Sequence, residues 1–153
     1  MPVYRERLWP AAWLFISTAL VVPASILVLA PISLIAGIAT AVVLYGGCVV
    51  ALILSAPVVA VEDGVLHAGK ASIAVDLVGD VTPYTGQEAW RQRGPVLDSR
   101  AWLMIRGYVD GVVKVQLLPA ANDPAPYWIV SSRHVRELAA AIRGSQRPVK
   151  SED

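Results

Sequence analysis

The sequence predicts a membrane α-helical hairpin of two transmembrane helices followed by an α+β domain, a small antiparallel curved sheet closed by a C-terminal helix. Three observations lead there. No Asp, Glu, Lys, Arg or His occurs from Leu8 to Val61. From Pro57 onward, short alternating apolar runs are separated by Gly, Pro and Asp turn signals. Near the end, Val135, Leu138, Ala139 and Ile142 recur at helical spacing. The chain divides accordingly into an N-terminal segment 1–8, a hairpin 9–56, a β-rich domain 57–144 and a tail 145–153.

A membrane-crossing helix needs about 20 predominantly apolar residues. The uncharged run holds two such lengths, and Ala30-Pro31-Ile32 divides it into spans at 9–30 and 33–56. Inside lipid every backbone donor and acceptor needs a partner within the chain, which favours helices. Pro23 removes one donor and kinks the first span. The small residues Gly37, Ala41, Gly46, Gly47 and Ala51 permit close helix approach. The neighbour is either the first span or a second copy of the chain, so packing within the hairpin and a homo-oligomer are both open. A cleaved signal sequence competes for the first span, because Arg5 and Arg7 precede it and Val22-Pro23-Ala24 resembles a cleavage site. Against it, the apolar run is long for a signal and a second span follows at once. Arg5 and Arg7 hold the N terminus in the cytoplasm, and two crossings return the chain to that side. Trp9 and Trp13 then sit at headgroup level. The expectation is a multi-pass protein of the cell membrane, both termini cytoplasmic, with the lipid bilayer as its first partner. The lone Cys48 lies within an apolar run and reads as a small packing residue.

Beyond the spans, 58–61 reads as a strand, Asp63-Gly64 as a hairpin turn and 65–68 as the return. Gly69-Lys70 turns again, and 71–77 runs out with Ile73, Val75 and Leu77 on one face. The stretch 82–100 is less regular, with a helical turn over 87–93 ended by Gly94-Pro95. Residues 101–105 and 112–118 read as the next hairpin, with Gly107 and Asp110-Gly111 supplying turns. A loop over 119–126 leads to the last strand at 127–130. Ser131 or Ser132 can then cap the closing helix, and Gly144 can stop it.

Little in the chain carries chemistry. Thirteen basic against twelve acidic residues, a net charge of +1, give no electrostatic case for nucleic acid. Gly64 to Lys70 has the glycine and lysine spacing of a phosphate-binding loop. Ala71, however, stands where a Ser or Thr should hold magnesium, and a strand follows where a helix is needed. His67 and His134 lie on different elements without ligand spacing, so no metal or cofactor is expected. Ser131, Ser132 and His134 have the residue types of a hydrolase, but capping accounts for the serines. No pair of carboxylates is placed for acid–base work, and the protein reads as non-enzymatic. Arg91 and Arg93 follow Trp90, while Arg143, Arg147 and Lys150 lie near the end. Anionic lipid headgroups would attract such cations; the competing reading is an ordinary solvated surface, diluted by Glu88 and Asp98.

Four blocks carry a family resemblance: YRERLWP at 4–10, VEDGVLHAGKASI at 61–73, DSRAWLMIRGYVDGVVKVQL at 98–117 and DPAPYWIVSSRHVRELAAAI at 123–142. Through them the chain resembles the actinobacterial domain-of-unknown-function family 3093, small two-span membrane proteins. The excess of Arg over Lys agrees with a GC-rich genome. That resemblance implies no activity. The order of strands before a closing helix resembles bacterial pleckstrin-homology-like (PH-like) domains, a likeness of pattern that does not give function. In PYWIVSSR, alternation puts Tyr127, Ile129 and Ser131 on one face and Trp128 and Val130 on the other. One reading makes Tyr127, Trp128 and Arg133 the rim of a groove at the sheet–helix junction. The other makes Trp128 core, Tyr127 a half-buried strand residue and Arg133 a surface residue of the first helical turn. The candidate binding residues are therefore Tyr127, Trp128, Arg133, Arg91 and Arg93. The expected function is to hold a protein partner or an anionic lipid headgroup at the inner membrane surface. The alternatives are an accessory subunit of a membrane complex, with Gly37 and Ala41 at an interhelical contact, and a small enzyme acting on a membrane substrate.

Overall fold

The computed structural model describes residues 2–146, so residues 147–153 of the expected tail, Arg147 and Lys150 among them, lie outside the described residues, and Ser145 ends the closing helix. The chain forms two compact units, Trp9–Ala56 and a second made of Met1–Leu8 together with Pro57–Asp153.

The first unit holds helices α1 (Ala12–Ala19), α2 (Val21–Leu29) and α3 (Leu34–Leu54). The break at Leu20 follows from Pro23, which has no N–H for the Ala19 carbonyl and whose ring crowds the preceding turn. The Ser33 hydroxyl caps α3 by accepting from the Ala36 N–H at 3.3 Å. A β-carbon added at Gly37 would lie 3.2 Å from the Ile26 backbone, so the small residue sets how closely α2 and α3 approach. Gly37 and Ala41 are buried in that contact, whereas Gly46 and Gly47 face open space. Ala12–Leu29 and Leu34–Leu54, at 18 and 21 residues, are long and apolar enough to cross a membrane by length and composition.

The second unit is an α+β domain. Its first sheet is an antiparallel meander of β1 (Pro2–Arg7), β2 (Val58–Glu62), β3 (Val65–Ala68) and β4 (Ala71–Ala74). Asp63 and Gly64 both have positive φ, 50° and 75°, as a type I′ hairpin turn requires. Within the N-terminal segment, β1 is an edge strand: Tyr4 pairs with Val61 and Glu6 with Val59. The physical reason is a period-two pattern, Tyr4 and Glu6 half-buried and Arg5 and Arg7 exposed, which needs β2 beside it to have meaning.

The second sheet has the order β5 (Val78–Tyr84), β7 (Val112–Leu117), β8 (Tyr127–Ser131), β6 (Trp102–Met104). Two expectations are corrected here. The run 71–77 is not one strand, because a 3-10 turn at Val75–Leu77 carries the chain from the first sheet into β5. Nor do 101–105 and 112–118 form a hairpin. β6 pairs in parallel with β8, Trp102 opposite Trp128, so the sheet is not wholly antiparallel. β5 already occupies the free edge of β7, and the Trp102 ring lies 4.6 Å from Trp128 between centroids. Aromatic pairing of this kind contributes about 0.5–1.5 kcal/mol beyond burial.

One core joins the sheets: Val59, Val61 and Leu66 from the first, Val113, Val115, Trp128 and Val130 from the second. Helix α5 (Val135–Ser145) adds Val135, Leu138, Ala139 and Ile142 to it and packs against β1, β2, β5 and β7. A smaller cluster lies on the outer face of the second sheet, where Ala89 of α4 (Gly86–Arg93) covers Val112, Tyr127 and Ile129. With both faces covered, every residue of β8 is buried.

Candidate functional site

The closing helix and the N-terminal strand meet at Glu6. Its side chain is 9% exposed. It accepts from the Tyr4 hydroxyl at 2.6 Å, the Ser132 hydroxyl at 2.7 Å and the Arg133 backbone N–H at 3.0 Å. The His134 Nδ1 lies 3.7 Å away. A carboxylate so enclosed is stable only when its lone pairs are met, and these donors meet them. The same surroundings raise the ionisation of Tyr4 well above its ordinary range, first through burial and then through the Glu6 hydrogen bond. Ser131 and Ser132 do not cap α5 in the expected way. The Ser132 hydroxyl accepts from the His134 N–H at 3.0 Å ahead of the helix, and the Ser131 hydroxyl accepts from the Arg106 N–H at 2.9 Å. The Ser131 oxygen thus joins β8 to the segment after β6, while the Ser132 hydroxyl serves the turn before α5 and Glu6.

Ser132 is fully buried, and its hydroxyl donates to the Glu6 carboxylate. Beside it, an open cleft of about 310 Å³ is lined by Thr85, Arg133, His134, Val135, Arg136 and Glu137. Glu137 offsets part of its positive charge.

The candidate binding residues are not brought together. Trp128, 3% exposed, lies in the main core against Trp102, and its indole N–H has no hydrogen-bond partner among the described residues. Tyr127 is buried on the opposite face; its hydroxyl accepts from the Asp98 N–H at 2.8 Å, and the Lys114 ammonium lies 4.2 Å from its ring centre. Arg133 is exposed, 6.0 Å from the Tyr108 ring. Tyr127 and Trp128 lie on opposite faces of β8, because consecutive strand residues alternate, and both faces are covered. Arg91 is exposed and pairs with Glu88 at 3.4 Å, while the Arg93 guanidinium donates to the Val109 carbonyl at 3.0 Å. The phosphate-loop pattern at Gly64 to Lys70 is strand β3 between two turns.

Sequence reasoning missed Tyr4 and Glu6, although their alternation with Arg5 and Arg7 was a usable signal. It also missed the α4 layer as a surface. Trp90 is 61% exposed there, on a helix otherwise made of polar and small residues, with Val96 and Leu103 also exposed. Asp98 in that layer is held below the usual carboxylate range by the Arg100 side chain and N–H.

The architecture defines a class: an α+β domain interrupted between its first two strands by a pair of long apolar helices. The chain belongs to the family described as Protein of unknown function (DUF3093), whose model matches residues 3–142. No curated protein and no solved structure matches it.

Proposed function

We propose that the apolar helices cross the cell membrane twice and hold a PH-like domain at its cytoplasmic face, where it works as a binding module and not as an enzyme. One observation carries this reading. The apolar segment is inserted into the first sheet, leaving at Leu8 and returning at Pro57, and these two residues are hydrogen-bonded at 2.9 Å. A segment whose two ends are so fastened must cross a bilayer an even number of times. Arg5 and Arg7 on β1 favour the cytoplasm for that end. Two sheets enclosing one core, closed by α5, support the PH-like reading. The burial of Ser132, with its hydroxyl bonded to Glu6, favours binding over catalysis. A tethered module works at high effective concentration, so modest affinity for a protein or lipid headgroup suffices.

The test is sidedness labelling of the full chain in a Cys48→Ser background. An impermeant maleimide applied to intact cells should label Ile32→Cys, in the turn between the spans, and leave Ser99→Cys untouched. Reversed labelling would overturn the cytoplasmic placement, and a chain that stays in solution without detergent would overturn the membrane reading.

An accessory-subunit reading has its own support. An apolar groove of about 300 Å³ runs between α2 and α3, lined by Val22, Ile26, Ala41 and Tyr45 among others. Its apolar lining suits a further apolar helix, and cysteine crosslinking from Gly46 in native membranes would capture such a neighbour.

A further inference from the structure

We propose that the outer layer of the second sheet, with Trp90, Val96 and Leu103 exposed among arginines, docks on anionic lipid headgroups of the bilayer surface. The inference rests on the membrane reading above and adds the contact surface and its ligand.

Three observations within the domain converge on this layer. The first is the exposure of its apolar side chains. Trp90 is 61% exposed, Val96 54% and Leu103 43%, although a small domain ordinarily covers an indole. All three lie on one side of the sheet. Ala89 and Leu97 hold α4 and the following segment onto it, and the Asp98 N–H bonds the Tyr127 hydroxyl. In β6, Trp102 and Met104 turn to the main core, so Leu103 points outward to the same side.

The second observation is charge. Arg91, Arg93, Arg100, Arg106 and Lys114 belong to this layer and its edge, against Glu88, Asp98 and Asp110. Arg91 pairs with Glu88 at 3.4 Å and Arg100 with Asp98 at 3.0 Å, yet cations outnumber carboxylates in the layer, and an exposed indole beside such an excess matches the headgroup region of an anionic bilayer, where amphipathic rings settle and cations meet phosphate.

The third is position. The layer is tied to the end of the domain from which the chain leaves for the apolar helices. The Tyr108 hydroxyl donates to the Leu8 carbonyl at 3.1 Å. One residue on, the Val109 carbonyl accepts from Arg93 at the end of α4 at 3.0 Å. A β-carbon at Gly69 would lie 3.4 Å from the Met104 sulfur and 3.7 Å from Pro57, so β6 also sits at that end. Arg93 at the end of α4 and strand β6 thus connect the layer toward Leu8 and Pro57, while the Asp98 N–H fastens its following segment to the Tyr127 hydroxyl.

The experiment reconstitutes the full chain in bilayer discs of phosphatidylcholine with and without phosphatidylglycerol. A nitroxide quencher is placed at the top of the acyl chains, and wild type is compared with Trp90→Phe. The difference between the two isolates Trp90, and the signal left in the variant includes Trp9 and Trp13, which test the anchor independently. Trp90 should be quenched by the lipid nitroxide and shielded from aqueous iodide in the anionic discs, and much less so in the neutral ones. Arg91→Gln with Arg106→Gln should lower its docked-to-free ratio about 25-fold, at roughly fivefold per cation near an anionic surface.

If Trp9 and Trp13 are quenched while Trp90 stays open to iodide in both discs, the docking surface is wrong and the anchor stands. Shielding of Trp90 from iodide without lipid quenching would mean that protein covers it, which also overturns the proposal. Equal quenching in neutral and anionic discs would remove the anionic headgroup as ligand. If Trp9 and Trp13 escape the lipid quencher, the membrane reading fails and the proposal falls with it. Circular dichroism of each variant confirms that the exposed substitutions leave the fold intact.

Discussion

The Leu8 N–H donates to the Pro57 carbonyl at 2.9 Å, closing the β1–β2 ladder at the point where the apolar helices interrupt the sheet. Residues 9–56 are in effect the loop of a β-hairpin. A loop contributes to the domain only by joining its strands, and a two-residue turn joins antiparallel strands well. Replacing 9–56 by Asn-Gly should therefore yield a monodisperse domain in plain buffer with strand and helix content intact, measured by light scattering and circular dichroism. An aggregated or unfolded product would show that the domain depends on the helices for more than attachment.

Tyr4 predicts the pH response of that shortened chain. Its ionisation is raised in the fold by burial and by Glu6. A raised value means that stability is fully present below the unfolded value of about 10 and is lost as pH climbs from there toward the folded value. Unfolding by denaturant should need steadily less denaturant above pH about 10. Tyr4→Phe should flatten that alkaline limb while costing about 1 kcal/mol near neutrality, from the lost bonds to Glu6 and Ser132.

Gly111 stands where β7 begins against the start of α5. A β-carbon there would lie 2.6 Å from the Ser132 carbonyl oxygen and 2.5 Å from a Val135 methyl. The Ser132 N–H also bonds the Gly111 carbonyl at 3.1 Å, so neither backbone can retreat without breaking that bond. Gly111→Ala should destabilise the domain by about 2–3 kcal/mol through overpacking. Gly107→Ala, at a position open to solvent, should change stability far less. Thermal melts of the two variants decide the point.

Trp128 and Arg133 should separate cleanly. Trp128→Ala removes a buried ring that packs on Trp102 and should cost about 3–5 kcal/mol. Arg133→Ala should stay within about 1 kcal/mol, because it keeps the backbone N–H that donates to Glu6 and changes a side chain that is exposed. Equal melting temperatures for the two would contradict the placement of Trp128 in the core.

Elements built from local signals were legible beforehand. The apolar runs, the Asp63-Gly64 turn, β3 and the α5 stripe each depend on residues a few positions apart, and the structure forms all of them. The candidate site was less legible. PYWIVSSR alternates correctly, but alternation cannot say that α4 covers one face and the first sheet the other. Ser131 and Ser132 looked like caps because their acceptors, donors and timing in the chain suited one; their actual partners, Arg106 and Glu6, are distant in sequence.

The order of residues alone determined the division between a segment suited to oil and one suited to water, since transfer free energy is additive along a chain and needs no partner to be read. Tertiary structure alone decided that β1 completes the later sheet, that β6 runs beside β8, and that Glu6 secures the start of α5. Those are pairings between segments far apart in the chain, and a strand edge or a carboxylate has no preference until folding brings its complement within hydrogen-bond reach.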